Sequence, residues 1–428
     1  MSDKEQAESQ LSQVLDIART VRDAGLVVKG WDGRLWNWNS GVFQPTGVEE
    51  LAAVIMRQVP AVTPTNLDNA IRLLKHGHPH IDGGRPAEAG LVNLRNGVLD
   101  FRTGDLAAAD PLAFPWLHQL PVEWNPDATC PEVDRFLAEI LPDQEHVDLV
   151  YEMMGYCLLP GQSLKKAFLL TGSGDNGKSV LLRLLQRLLG EDNCAAIPLR
   201  QLSDSRFQTA RLPGKLLNAC GDMGKASVAD TQVVKLITGG DPITAEHKNG
   251  HPFDFTATCK LVFAANSLPT TFYHEDAWHN RWVVIEFART FDAEAIAAWV
   301  QEGREARLFA PDQVQGMLVK VVQAAARLME RGRFDLPDAV CQAGERYAMS
   351  NSPVLQFLEE HPFTDQADAK RSELWPRYVD WGDKVAGLPR NQLGKRVDFL
   401  EDLRGKGMVE RKVKGTWMVN VKMPESPY

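Results

Sequence analysis

The residues best suited to chemistry form one short motif, Gly172-x-x-x-x-Gly177-Lys178-Ser179. This is the spacing of a phosphate-binding loop, in which glycines allow backbone N–H groups to face phosphate oxygens. In such a loop the lysine neutralises the β- and γ-phosphates, and the serine hydroxyl is a ligand for Mg²⁺. The motif therefore predicts a site for a nucleoside triphosphate and Mg²⁺. The alternative is a glycine turn with an accidental lysine.

A phosphate-binding loop needs a buried strand before it and a helix after it. The apolar run at residues 167–170 suits a strand that is buried on both faces. From Lys178 onwards the leucines recur at helical spacing, and Gly190 is a suitable stop for the helix. Both flanking elements are thus predicted, and they make an accidental match to the motif much rarer.

Three further polar residues lie at the ends of predicted strands. Asp222 and Asn266 each follow a short apolar run, whereas Arg281 precedes one; the runs are residues 215–220, 260–265 and 282–285. In an open parallel sheet, ligands bind beyond the carboxyl ends of the strands. We therefore expect Asp222 and Asn266 at the sheet edge that carries the phosphate loop, and Arg281 on the opposite side of the core.

These positions allow a hypothesis for each residue. Asp222 would bind Mg²⁺ through water and would orient or deprotonate the attacking water. Asn266 would hydrogen-bond the γ-phosphate or that water, and Arg281 would reach a neighbouring subunit's nucleotide as an arginine finger. Each residue also has a structural alternative: a helix N-cap for Asp222, a capping turn for Asn266 and a surface salt bridge for Arg281.

A hairpin is predicted between the apolar runs at residues 215–220 and 260–265. Residues 243–248 and 251–255 alternate about Asn249-Gly250, a strong hairpin signal. The tip is polar and basic, with His247, Lys248 and His251. Such a tip is a candidate finger on a nucleic-acid backbone, and the alternative is an ordinary solvated turn.

The composition bounds the class of protein. At 428 residues the chain has room for two to four domains, and no apolar run approaches the length of a membrane span. The polar N-terminus and six well-separated cysteines indicate a cytoplasmic protein with reduced thiols. A net charge of −9 argues against a protein coated with basic residues, but a local basic channel remains compatible with it.

Residues 1–165 are interpreted as a mixed α+β N-terminal domain with a helical second half. An amphipathic helix is expected over residues 2–24, hairpins at 31–38 and 91–106, and helical structure over 131–156. Tryptophans 31, 36 and 38 are expected to fill the core of a small sheet, the alternative being stacking on bases. Histidines 76, 78 and 80 could ligate a metal, but no nearby residue completes a tetrahedral set.

The rest of the chain divides into an ATPase core with a helical bundle, 166–350, and a third unit, 353–428. In the third unit we predict three helices and a two-stranded wing about Lys414-Gly415, which describes a winged helix. Between Arg390 and Lys414 there are eight Lys or Arg against four Asp or Glu. This basic surface suits duplex or forked DNA, although winged helices also bind proteins.

Taken together, the ordered motifs resemble those of superfamily 3 DNA helicases, in particular the C-terminal half of phage, plasmid and poxvirus primase-helicases. The resemblance rests on GSGDNGKS, the acidic strand end at Asp222, KLITGGDPITAEHK, FAANSLP containing Asn266, and Asp276 followed by Arg281. Upstream, VNLRNGVLDFRTGDL and the segment CPEVDRFL to MMGYCL resemble the accessory domain of that family.

This resemblance implies an AAA+-like α/β core with a parallel sheet, forming a ring that is usually hexameric. ATP would lie between subunits, and single-stranded DNA would pass 3′→5′ through a channel lined by the hairpin. The nucleotide-binding residues carried over are Gly172, Gly174, Asn176, Gly177, Lys178 and Ser179. Ser179 and Asp222 would hold Mg²⁺.

Two departures from the family pattern bear on function. The family places two acidic residues or a glutamate where this chain has Gly221-Asp222, so the catalytic base is less defined. There is also no room for a primase domain, so a separate primase or polymerase partner is expected. We predict an ATP-driven DNA helicase or translocase that replicates a phage, plasmid or other mobile element. The alternatives are an ATP-switched origin-binding or assembly protein and a packaging or defence ATPase.

Overall fold

The structure is a computed structural model. It describes residues 3–30, 33–76, 90–221, 227–228, 231–248, 250–271, 276–365, 369–388, 390 and 393–423. Among these residues, no helix is both long enough and apolar enough to cross a membrane.

The N-terminal region begins with a helix and a small antiparallel sheet of order β1-β2-β3. Its elements are α1 (Asp3–Asp23), β1 (Val27–Lys29), β2 (Leu35–Asn39), β3 (Val42–Pro45), α2 (Val48–Gln58) and α3 (Pro64–Lys75). The amphipathic helix is confirmed, but its buried stripe begins at Val14 and includes Ile17, whereas Leu11 is 60% exposed. Trp36 packs with Phe43 in the core, as predicted, and Trp31 lies outside the described residues.

A second sheet and two helices follow: β4 (Leu91–Leu94), β5 (Gly97–Asp100), β6 (Asp105–Ala107), α4 (Pro131–Ile140) and α5 (Gln144–Tyr156). The predicted hairpin is present, but the sequence favours a turn at Asn96-Gly97, whereas the structure has it one residue earlier, at Arg95-Asn96, because Gly97 already pairs with Leu94. The helical stretch is broken at Pro142. A new helix starts there because the carboxylate of Asp143 accepts the backbone N–H of His146 at 3.0 Å.

The central domain contains a five-stranded parallel sheet of order β15-β7-β13-β9-β8. Its elements are β7 (Ala167–Thr171), α6 (Lys178–Leu189), a 3₁₀ turn (Glu191–Asn193), β8 (Cys194–Ala195), α7 (Leu199–Asp204), α8 (Arg206–Thr209), β9 (Leu217–Cys220), β10 (Ser227–Val228), α9 (Gln232–Gly239), β11 (Pro242–Glu246), β12 (Pro252–Thr256), β13 (Lys260–Ala265), β14 (Thr270–Thr271), α10 (Asp276–His279) and β15 (Trp282–Glu286). The strands β7 and β13 are buried along their whole length, as continuous apolar runs in a parallel sheet should be.

Helices then cover the sheet: α11 (Ala293–Gln301), α12 (Arg304–Leu308), α13 (Pro311–Arg331) and α14 (Asp338–Ser350). One apolar core extends from Val92 to Val340 and joins α4, α5, α6 and α13 to one face of the sheet. The contact between α5 and α13 requires Gly155, since a Cβ there would lie 2.7 Å from the backbone nitrogen of Ala325. The apolar packing is therefore continuous across residue 165, the predicted boundary between the N-terminal domain and the ATPase core.

The C-terminal region has its own apolar core, which includes Phe357 and Trp381. Its elements are α15 (Pro353–Glu360), β16 (Ala369–Lys370), α16 (Arg371–Lys384), α17 (Arg396–Gly405), β17 (Glu410–Val413) and β18 (Thr416–Val419). The predicted hairpin turns at Lys414 and Gly415, with φ values of 46° and 84°. The sheet has three strands and not two, because β16 pairs with the outer side of β18.

Candidate nucleotide-binding site

The predicted phosphate loop connects the inner strand β7 to α6, as the motif requires. Its glycines have positive φ values of 159° at Gly172, 109° at Gly174 and 86° at Gly177. A side chain at Gly177 would also lie 2.6 Å from Cγ2 of Ile140, so only glycine fits there without a shift. The loop thus turns tightly over the N-terminal end of α6, where unpaired N–H groups and the helix dipole favour an anion.

The side chain of Lys178 lies in this loop and is only 5% exposed. Its ammonium group donates to the carbonyl oxygen of Gly172 at 2.9 Å and to Oδ1 of Asn176 at 2.8 Å. Burial lowers the pKa of Lys178, and the charge of Asp175 opposes this effect. Phosphate oxygens could replace the two oxygens that hold the ammonium. Ser179 is exposed in the first turn of α6.

The segment that follows β15 supports the loop, and sequence reasoning missed it. The backbone N–H of Phe291 donates to the carbonyl of Asp175 at 2.8 Å, and Nδ2 of Asn176 donates to the carbonyl of Phe287 at 3.4 Å. The hydroxyls of Ser173 and Thr290 are hydrogen-bonded at 2.9 Å. These partners lie more than one hundred residues apart in the chain, so no local pattern could reveal them.

Asn266 is placed at the same sheet edge as the loop. Ala265 at the end of β13 is in register with Thr171 at the end of β7, so the exposed Asn266 and Gly172 leave the sheet side by side. This arrangement agrees with the expectation that polar residues gather at the carboxyl ends of the strands. Asp222 lies outside the described residues; the chain is described up to Gly221, just after β9.

Arg281 lies at the amino-terminal ends of the strands, opposite the phosphate loop, as the sequence predicted. Its carbonyl accepts the N–H of Ala167, at the start of β7, so the length of that strand, about 15 Å, separates it from the phosphate loop. Its Nε donates to Oγ1 of Thr238 at 2.9 Å, and Nη1 bonds to the carbonyl of Ala277. The described contacts of Arg281 are thus hydrogen bonds, and the structure does not bring it to Lys178 within one chain.

An unpredicted ion pair lies at the edge of the phosphate loop. Glu286, the last residue of β15, is in register with Thr171, and its carboxylate is 2.7 Å from the guanidinium of Arg346 on α14. The signal in the sequence was weak, because Glu286 merely ends an apolar run and Arg346 lies on a separate helix. Both side chains are about half exposed.

The predicted hairpin is present as β11 and β12, paired from Pro242 with Thr256 to Glu246 with Pro252. Its inner face is buried in the core of the central domain. His247, Lys248 and His251 are exposed at the tip, and the His247 ring stacks on Phe253 at 5.2 Å. Asn249 lies outside the described residues.

The donor atoms fit a nucleoside triphosphate better than a bound metal alone. Within the described part of the chain, no group of three His, Cys, Asp or Glu is arranged to hold a metal ion. His76 ends α3, and His78 and His80 lie outside the described residues. The glycine cradle and Lys178 suit phosphates, and Ser179 supplies a hydroxyl for an accompanying Mg²⁺.

Comparisons with known proteins show what the chain resembles in sequence and in fold. Residues 15–142 match a family model described as D5 N terminal like, and residues 170–281 match a family of unknown function, DUF5906. The chain is 28% identical over 292 residues to a candidate helicase of Acanthamoeba polyphaga mimivirus, with 63% of this chain and 30% of that protein covered. It is 26% identical over 354 residues to a candidate helicase of Invertebrate iridescent virus 3, with 74% and 37% covered.

The chain therefore spans about a third of the length of these viral relatives. Two apo structures of the NrS-1 C-terminal region have a similar fold, with TM-scores of 0.51 and 0.53 at 12% and 13% identity. The alignments cover 95% and 96% of this chain and 99% and 100% of those chains. The chain is thus similar to D5-like viral helicases in sequence and to the NrS-1 C-terminal region in fold.

Proposed function

We propose that this chain is an ATP-dependent, ring-forming DNA helicase or translocase of superfamily 3, with an AAA+-like core, that acts in the replication of a phage, plasmid or other mobile element. The observation that carries the proposal is the phosphate loop between β7 and α6, with the ammonium of Lys178 held by Gly172 and Asn176. Because the chain is similar to viral candidate helicases, we assign DNA unwinding to this nucleotide site.

In the proposed reaction Lys178 leaves the loop oxygens and contacts the β- and γ-phosphates of ATP. Ser179 and Asp222 would hold Mg²⁺, which would supply positive charge against the phosphates, and Asn266 would orient the attacking water. Arg281 acts on the nucleotide of a neighbouring subunit, because it lies at the far edge of its own sheet. A homohexamer would supply such neighbours.

The proposed motor would translocate along single-stranded DNA that is held by the hairpin tips. Lys248 is exposed beside His247 and His251, so it is available to contact phosphates. The C-terminal region, which we interpret as a winged helix, would bind duplex or forked DNA. A separate primase or polymerase would start synthesis, in the cytoplasm of the bacterium or infected host.

The proposal is tested by steady-state ATP turnover with and without single-stranded DNA. We expect DNA to stimulate turnover in the wild-type chain and expect Lys178→Ala to reduce turnover at least about 100-fold, because an electrostatic contact that stabilises transition-state charge is removed. ATP binding without stimulated turnover would contradict the motor and would favour the ATP-switched origin-binding or assembly protein. Arg327→Ala, an exposed change on α13, serves as the control.

A further inference from the structure

A cleft of about 990 Å³ separates the N-terminal sheet from the central domain. One wall is formed by β2 and β3 and carries Arg34 and Gln44. The other wall, formed by the end of α6 and the chain that leads into β9, carries Arg187, Arg211 and Lys215. We call this feature the basic cleft.

The basic cleft is locally positive in an acidic protein. Its two walls carry Arg34, Arg187, Arg211 and Lys215 against the carboxylates of Glu191 and Asp192, whereas the whole chain has a net charge of −9. Arg211 has a neutral partner, because it donates to Gln208 at 3.1 Å, and its charge is therefore available to an anionic ligand. Lys215 bonds to the backbone carbonyl of Asp192, and the carboxylate of Asp192 also attracts its ammonium.

The cleft is a separate site from the nucleotide site. It is lined by Gln186, Arg187 and Gly190 at the C-terminal end of α6, whereas Lys178 starts that helix. A helix of 12 residues is about 18 Å long. An ATP molecule at the phosphate loop therefore cannot be the ligand of the basic cleft.

The position of the hairpin identifies the class of ligand. His247, at the end of β11, lines the cleft, and the next residue is Lys248 at the exposed tip. A DNA strand that is held by Lys248 would therefore enter the basic cleft next. The volume is that of a large small-molecule pocket, which admits one flexible strand but not a duplex. Cations on facing walls suit a backbone with a phosphate at every step.

We infer that the basic cleft binds the phosphate backbone of single-stranded DNA where the strand leaves the Lys248 hairpin. This inference deepens the proposed function and rests on it. It gives the N-terminal region a role in holding the strand. Because the contacts are made to phosphates, binding through the cleft is independent of base sequence and sensitive to salt.

The test measures the affinity of the full chain for fluorescent oligo(dT) at several salt concentrations. In the double variant Arg187→Ala/Arg211→Ala we expect weaker binding, and the slope of log affinity against log salt should fall by about 0.7 for each phosphate that the variant no longer neutralises. Basal ATP turnover should not change, because neither residue belongs to the nucleotide site. Arg327→Ala, which removes one exposed arginine outside the cleft, should leave the slope unchanged.

The variant Lys248→Ala separates failure of the inference from failure of the function. If Lys248→Ala weakens oligo(dT) binding while the double cleft variant binds like wild type, the cleft does not hold the strand and the inference is overturned, although the motor stands. A cleft that binds a protein partner would give this same result. If the wild-type chain fails to bind oligo(dT) at all, the proposed function falls together with the inference.

Discussion

Two buried lysines lie at opposite ends of the strands of the central sheet and make different contacts. Lys178 lies in the phosphate loop and is proposed to contact ATP, whereas Lys260 at the start of β13 is 1% exposed and lies at the other end of the strands. Its ammonium donates to the carbonyls of Leu159 at 3.0 Å and Thr258 at 3.3 Å and also bonds to Gly161. Lys260 therefore ties the chain that follows α5 to the sheet.

Lys260 should make stability depend on pH in the alkaline range. Burial lowers the pKa of Lys260 from 10.5 to about 8 in the folded chain. Between these values the unfolded chain binds more protons at residue 260, so the contribution of Lys260 to the free energy of unfolding should rise with pH, by about 3 kcal/mol in all. In Lys260→Met this rise should be absent. Urea unfolding of both proteins from pH 7 to 11 tests this, and parallel pH profiles would contradict it.

At the scale of residues, a position could be predicted where local spacing in the sequence fixes it. Lys178 and Ser179 could be identified because the motif fixes them between a strand and a helix. Lys260 could not, since two of its three carbonyl partners, Leu159 and Gly161, lie about one hundred residues earlier in the chain. Nothing in an apolar run shows that the lysine at its start is buried. The ion pair of Glu286 with Arg346 was hidden for the same reason.

At the scale of elements, the phosphate loop is fixed by its contact with α4. Gly174 and Gly177 both have left-handed backbones, but a Cβ at Gly174 meets nothing within 4 Å, whereas one at Gly177 meets Ile140. We expect Gly174→Ala to lower the free energy of unfolding by about 1–2 kcal/mol through backbone strain alone. Gly177→Ala should lower it by a further 1–3 kcal/mol, about the cost of overpacking.

Urea unfolding of the two variants without nucleotide measures this difference. Because the two substitutions add the same methyl group to the same loop, each is the control for the other. Equal decreases in stability would show that the contact with Ile140 does not constrain the loop.

Elements with strong local signals were predicted, and those set by tertiary contacts were not. Long amphipathic stretches gave α1 and α13, and Asn249-Gly250 and Lys414-Gly415 gave their hairpins. The strand β8 has two residues and exists because the edge of β9 is available to pair with it. The break between α4 and α5 shows that Pro142 and the cap at Asp143 outweigh continuous helical spacing.

At the scale of the whole molecule, the proposed arginine finger would require two chains for a complete catalytic site. The phosphate loop and Arg281 lie at opposite ends of the strands of one sheet, so a single chain cannot bring Arg281 to its own nucleotide. We expect Lys178→Ala and Arg281→Ala to be inactive alone and to recover part of their ATP turnover when mixed. Lys178→Ala mixed with Ser179→Ala should not recover, because both changes damage the same loop.

Failure of the first mixture to recover would indicate that Arg281 is a structural residue bonded to Thr238 and Ala277.

The distribution of charge is also a property of the whole molecule. The chain is acidic overall, so its DNA contacts are expected to be confined to the hairpin tip, the basic cleft and the C-terminal region. Between residues 403 and 422 the last of these has six Lys or Arg against one Glu.

The central claim is that ATP hydrolysis moves this protein along DNA and separates strands. The most direct measurement is displacement of a labelled strand from a forked duplex by the wild-type chain, with ATP, with a non-hydrolysable analogue, and with Lys178→Ala as the control. We predict displacement with ATP alone, and none with the analogue or the variant. ATP turnover that is stimulated by DNA but releases no strand would contradict the account.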